Sequence, residues 1–163
     1  MCKSIMVVDD ADLWNKMMYD ILTKLGYSCI TAQNAKDAIE LYSMNKPDLI
    51  LMDIVMPDKD GIACAKEIIC KDKSAKIIIV SAVIIPKYVI SALDVGVWDI
   101  VHKFSFNPAC EDNILFNKIK EVLLRSQNQK YDINFIENKF SYADSRTFLS
   151  SVQLEEVLAI SKK

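Results

Sequence analysis

Histidine is almost missing from this chain: His102 is the single one among 163 residues. A metal centre built from several imidazoles is therefore excluded. Glycine is scarce as well, and Gly26, Gly61 and Gly96 form no G-x-G-x-x-G cradle, so a dinucleotide-binding fold has no support. The cysteines Cys2, Cys29, Cys64, Cys70 and Cys110 are odd in number and include no C-x-x-C pair, which argues against a disulfide framework and a zinc site. Reduced thiols are the expectation. Basic charge is not in excess: 20 Lys and Arg stand against 22 Asp and Glu, for a net charge of -2. Such a chain has no overall field that holds nucleic acid or anionic membrane without specificity. No apolar run approaches the roughly 18 residues of a membrane span, and the start MCKSIMVVDD reaches carboxylates within ten residues, unlike a signal peptide. A soluble, cytoplasmic protein is expected.

What is present is an ordinary globular composition, 52% hydrophobic and 26% charged, enough for one domain and a short appendage. Apolar runs recur as SIMVV (4–8), DLILM (48–52), KIIIV (76–80) and DIV (99–101), with a weaker one, SCIT, at 28–31. They are rich in Ile and Val and do not alternate with polar residues, as expected of strands buried on both faces of a parallel sheet.

Between them lie stripes with helical spacing. Leu13, Met17, Ile21, Leu22 and Leu25 stop at Gly26, a natural helix end; Ala35, Ala38, Ile39 and Tyr42 stop before Pro47. Ile62, Ala65, Ile68 and Ile69 form a third stripe. Tyr88, Val89, Ala92 and Leu93 form a fourth, ending near Gly96, and Ile114, Leu115, Ile119, Val122 and Leu123 a fifth. Five alternations of strand and helix predict a doubly wound α/β fold, a five-stranded parallel sheet with helices on both faces. Ligands of such sheets bind beyond the carboxyl ends of the strands.

Those ends are polar. The first strand runs into Asp9 and Asp10, the third into Asp53, the fourth into Ser81 and the fifth into Lys103. Asp10 or Asp12 also suits an N-cap of the first helix. Two carboxylates on one loop repel, which a cation or a buried lysine resolves. Asp53 follows LILM directly, where an unpartnered carboxylate is costly. Taken together, oxygen ligands without spare His or Cys favour Mg²⁺, with an ammonium and a hydroxyl opposite to hold phosphoryl oxygens.

VVDD, LILMDIVMPDKDG, IIIVSA and a lysine ending the fifth strand, in this order, resemble the receiver domain of two-component response regulators. The resemblance covers about residues 3 to 126. It implies a flavodoxin-like, CheY-like fold over a receiver domain at 1–126, with 127–163 as linker and a short C-terminal helical extension. It implies Asp53 as phosphoacceptor from a sensor histidine kinase or phosphotransfer protein. Asp10, Asp53 and the Val55 backbone carbonyl would ligate Mg²⁺, Asp9 acting through water. Ser81 and Lys103 would hold the phosphoryl oxygens, while Pro57 and Gly61 match the loop that shapes the site. Such a protein catalyses its own phosphorylation and dephosphorylation but is otherwise no enzyme, and it signals to a downstream protein target.

Three departures from the family pattern stand out. Lys103 is followed by Phe104 instead of proline, which predicts a trans bond and a differently shaped loop. Ile100 occupies the position where the family carries a switching Tyr or Phe, so the surface around the fourth helix and fifth strand is expected to respond differently. Val55 and Val83 hold the positions that tune attack of water; neither orients a water by a side-chain hydrogen bond, which predicts a long-lived phosphoryl group. His102 reads as a strand-end residue rather than a phosphorelay histidine.

The tail opens with the polar SQNQKYD and closes with TFLSSVQLEEVLAISKK, in which Ser150 and Gln153 suit a capping box and Leu154, Val157 and Leu158 an apolar stripe. Its charges nearly cancel, which argues against a DNA-binding face. Two readings remain open: an amphipathic appendage packing on the receiver or on its copy in a homodimer, or the first helix of a LuxR-type output domain cut short. Two further classes compete with the whole reading. A haloacid dehalogenase-like phosphatase needs D-x-D-x-[TV] on the first strand, which DDAD does not supply. A receiver-like module that binds partners without phosphorylation is the other.

Overall fold

The computed structural model describes residues 2–106 and 113–125. Five strands form one sheet: β1 (Ser4–Val8), β2 (Ser28–Ala32), β3 (Leu49–Met52), β4 (Ile77–Ser81) and β5 (Asp99–His102). All pair in parallel, in the order β2-β1-β3-β4-β5. The helices are α1 (Asp12–Lys24), α2 (Ala35–Asn45), α3 (Gly61–Lys71), α4 (Pro86–Val95) and α5 (Ile114–Leu124), with a 3-10 turn at Lys103–Ser105. The predicted fold class is the observed one. The capping-box tail and the 127–163 extension lie outside the described residues.

The side-chain period of two divides each strand between two cores. Ile5, Val7, Leu49, Leu51, Ile78 and Val80 pack with α1 and α5, beside Met18, Leu22, Leu115 and Ile119. Met6, Val8, Ile50, Met52, Ile77 and Ile79 face the other layer, on residues of α2, α3 and α4 such as Tyr42, Ile68 and Ala92. Burial on both faces is why β1, β3 and β4 read as unbroken apolar runs, whereas the edge strand β2 leaves Ser28 and Thr31 exposed.

Helix ends follow local chemistry. Asn34 and Asp60 cap α2 and α3 by accepting from the Asp37 and Ala63 amides, at 2.8 and 2.7 Å. Pro86 opens α4, where its missing N–H is not needed. Gly26 and Gly96 adopt φ of 87° and 94° after α1 and α4, a conformation that favours glycine. Neither Asp10 nor Asp12 caps α1: its N-cap is Ala11, without a side-chain bond, and Asp12 sits in the first turn. Three stripe positions are also corrected. Leu13, Leu25 and Ile114 are 82%, 49% and 53% exposed, each lying in the first turn or at the cap of its helix, and Met18 takes the core position in α1.

Asp72 ties the ends of α2 and α3 together, accepting from the Ser74 hydroxyl and amide, from the Tyr42 hydroxyl at 2.8 Å and from Lys46 at 3.2 Å. The Ser74 hydroxyl, then the Tyr42 hydroxyl and the Ser74 amide, hold its carboxyl well below the usual range. A carboxylate depressed by folding adds stability above its unfolded pKa, and that share is lost as pH falls through the folded value. Asp72→Asn is therefore expected to lower stability at pH 7 by about 1 kcal/mol. In urea melts the gap to wild type should narrow below about pH 4, the range of a free aspartate; a constant gap would deny that the charge matters.

Candidate functional site

The parallel ladder assembles the site. Asp9 extends β1 by donating its amide to Ala32 O at 3.1 Å, and Asp53 extends β3 by donating to Val8 O at 2.9 Å, so the two aspartates leave adjacent strands side by side. Asp9 and Asp53 are 1% and 6% exposed, whereas Asp10 faces solvent. Carboxylate oxygens of the three lie within 4.8 Å of one another. Lys103 comes from the far side, its ammonium 2.5 Å from Asp9 Oδ2 and 2.8 Å from Asp53 Oδ2. The remaining oxygens are held by backbone: the Ala11 amide donates to Asp9 Oδ1 at 3.1 Å and the Ile54 amide to Asp53 Oδ1 at 2.7 Å.

Three carboxylates against one ammonium leave negative charge uncompensated in a largely buried place. Burial pushes the Asp9 carboxyl above the usual range, and Lys103 offsets this only in part. For Lys103, burial favours the neutral amine, but the bonds to Asp53 and Asp9 outweigh it and hold the ammonium above an ordinary lysine. An all-oxygen donor set with one arm open to water fits Mg²⁺, which keeps several waters and takes one or two carboxylates. Ser81, 1% exposed, closes β4 at the same edge and accepts from the Val83 amide at 3.3 Å. Its register partner on β5 is His102, directly before Lys103.

The loop after Asp53 is shaped by Gly61. A Cβ there would stand 1.7 Å from the Asp53 carbonyl oxygen and 2.8 Å from its carbon, and the Gly61 amide donates to Ile54 O at 2.8 Å. Val55 and Val83 are 51% and 45% exposed at the mouth. Among the described residues every peptide bond is trans, Lys103–Phe104 included. Lys103 opens the 3-10 turn, His102 Nδ1 accepts from the Phe104 amide at 3.2 Å, and the Phe104 ring is 83% exposed. His102 thus caps a turn.

Two residues of α1 escape the sequence reading. Asn15, 5% exposed, donates through Nδ2 to Asp9 O at 2.7 Å and Ala32 O at 3.2 Å, pinning the loop that presents the acidic pair. A polar residue three before Met18 on a buried stripe was its only signal. Trp14 puts its ring 5.1 Å from the Lys103 ammonium; nothing in the sequence links the two.

A parallel sheet in the order 2-1-3-4-5 with helices on both faces is shared with a known group. The response regulator receiver domain family matches residues 5–120, and the chain belongs to it. The chemotaxis protein CheY of Thermotoga maritima is 42% identical over 110 residues, covering 67% of this chain and 91% of that protein. CheY of Bacillus subtilis is 41% identical over 104 residues, covering 63% and 87%. Among solved structures, a CheY-like receiver domain protein of Methanospirillum hungatei JF-1 superposes with a TM-score of 0.70 at 26% identity, over 76% of this chain and 94% of that one. CheY of Borrelia burgdorferi, crystallised with CheX, BeF3 and magnesium, gives 0.68 at 27% identity, over 76% and 90%. The chain is thus a CheY-like receiver domain of two-component signalling, a class of signalling proteins rather than enzymes. Among the described residues, no helix is long and apolar enough to cross a membrane.

Proposed function

We propose that the chain accepts a phosphoryl group on Asp53 from a phosphohistidine of a sensor kinase or phosphotransfer protein, and signals through contact with a downstream protein. The observation that supports this most is the Lys103 ammonium bridging Asp9 and Asp53 inside the acidic trio. A carboxylate oxygen of Asp53 attacks phosphorus, the P–N bond breaks, and its electron pair returns to the imidazole. Lys103 then pairs with one phosphoryl oxygen and the Ser81 hydroxyl with another. Asp9, Asp10, Asp53 and the Val55 carbonyl would hold Mg²⁺, whose positive charge lets an anionic carboxylate accept an anionic group. In the return step water attacks phosphorus, releasing inorganic phosphate and restoring the carboxylate.

Residues 1–126 form the phosphoacceptor unit in this reading, and 127–163 the extension. Output by protein contact is supported by the likeness to CheY proteins, one of which is crystallised with CheX. A soluble cytoplasmic setting follows from the kinase partner. The test is intact mass after incubation with acetyl phosphate: one phosphoryl group gained with Mg²⁺, none with EDTA, none in Asp53→Asn. Equal gain in Asp53→Asn would reject the acceptor assignment, and no gain in wild type would favour a module that binds partners without phosphorylation.

Val55 also sets a lifetime. Val55→Asn adds a group able to orient the attacking water; one such hydrogen bond, about 1 kcal/mol, should speed loss of the phosphoryl group about fivefold. Decay followed by mass at fixed Mg²⁺ checks this, and an unchanged rate would show that water is ordered elsewhere.

A further inference from the structure

Two groups lead out of the site toward opposite faces of the sheet. Ser81 continues the alternation of Ile77 and Ile79 toward the layer of α2 to α4, where Ile100 is aliphatic and partly buried. Lys103 leads the other way, to rings. From its ammonium it is 5.1 Å to the Trp14 centroid. Trp14 meets Phe106 edge-on at 5.4 Å and 67°, and Phe106 meets Phe116 of α5 at 5.5 Å and 90°. Phe116 in turn lines a cavity of about 50 Å³ with Leu25, Tyr27, Ile119 and Lys120, between the end of α1 and α5. A continuous aromatic row therefore joins the site lysine to the outer surface of the α1–α5 layer.

Such a row has the properties of a switch. Rings in edge contact move between discrete rotamers and take their neighbours along. Lys103 is held by Asp9, by Asp53 and by the π face of Trp14, the last being the easiest to give up, since a cation over a ring is the weakest of the three attractions. A phosphoryl group on Asp53 presents new anionic oxygens to the same ammonium. Its place relative to the Trp14 face must then change.

We propose that Trp14 positions the Lys103 ammonium in the resting site, and that the row Trp14, Phe106, Phe116 transmits its displacement to the α1–α5 face. This inference rests on the phosphoacceptor reading of Asp53. It gives the chain a route for its signal on the side of the sheet opposite Ile100.

The test uses the full chain labelled with 5-fluorotryptophan, so that Trp14 and Trp98 each report by fluorine NMR while Mg²⁺ and beryllofluoride, a phosphoryl mimic, are added. Trp14→Phe assigns the Trp14 resonance. Bound beryllofluoride signals should appear together with a shift of the Trp14 resonance by several line widths. Amide hydrogen exchange along α5 should change by about fivefold in wild type, a local opening response, stay nearly unchanged in Trp14→Leu, and return in Trp14→Phe, which keeps a ring. Bound signals with a stationary Trp14 resonance, or a full α5 response in Trp14→Leu, overturn this inference and leave the phosphoacceptor reading standing. Absence of bound beryllofluoride overturns both.

Discussion

Lys103→Met is expected to slow phosphoryl uptake from acetyl phosphate by about 100-fold at saturating Mg²⁺, the usual effect of removing one fixed donor from a preorganised site. Methionine keeps the unbranched apolar stem, ending one heavy atom short of the ammonium, and supplies no charge to the phosphoryl oxygens. The ammonium it removes lies 2.5 Å from Asp9 and 2.8 Å from Asp53, with side-chain exposures of 13% for Lys103 and 1% and 7% for its partners. Breaking a buried pair from one side leaves its carboxylates unpaired, and the metal-free variant should lose about 3 kcal/mol of stability. Mg²⁺ should restore most of that, and bind several-fold more tightly because no ammonium competes for the same oxygens. Urea melts with and without Mg²⁺, beside uptake rates from intact mass, separate the two roles. A rate within about threefold of wild type, less than 1 kcal/mol in the barrier, would reduce Lys103 to a structural counter-ion.

Gly61→Ala is the other substitution with a large expected effect, and its cause is space. Gly61 opens α3 where the backbone of Asp53 passes, and an added methyl group would meet the Asp53 carbonyl oxygen at 1.7 Å, with Met52 Cγ at 3.0 Å behind it. A backbone oxygen cannot rotate aside as a side chain does, so the loop or the helix start must move. Overpacking of this kind costs about 3 kcal/mol. Because the displaced residue is the phosphoacceptor, uptake should fall with stability, by about 100-fold for a misplacement near 1 Å. Chemical denaturation and the acetyl phosphate assay check both, and a variant with wild-type stability and uptake would mean that the loop relaxes freely.

β1, β3 and β4 were legible because each lies between two helical layers and reads as an apolar run, and the site was legible because polar residues stop those runs at one edge. Asp9, Asp10, Asp53 and Lys103 are brought together as the order of the strands implies. Periodicity gives the face of a helix but not its reach. Leu13, Leu25 and Ile114 share the spacing of core residues yet lie exposed at helix ends, while Asn15, polar and unnoticed, holds the Asp9 carbonyl. Trp14 escaped for a different reason. Its partner is 89 positions away in sequence, and a cation over a ring leaves no local pattern. The turn at Lys103–Ser105 is likewise set by His102 accepting from the Phe104 amide, a bond that composition does not announce.

The central claim is that Asp53 becomes an acyl phosphate, and chemical trapping of that bond tests it most directly. After acetyl phosphate and Mg²⁺, borohydride reduces an aspartyl phosphate to homoserine, which peptide mass spectrometry locates by residue. Homoserine at position 53, lost with EDTA and lost in Lys103→Met in step with uptake, is the result expected. Homoserine at Asp9 or Asp10, or a phosphoryl group that resists borohydride, would contradict it.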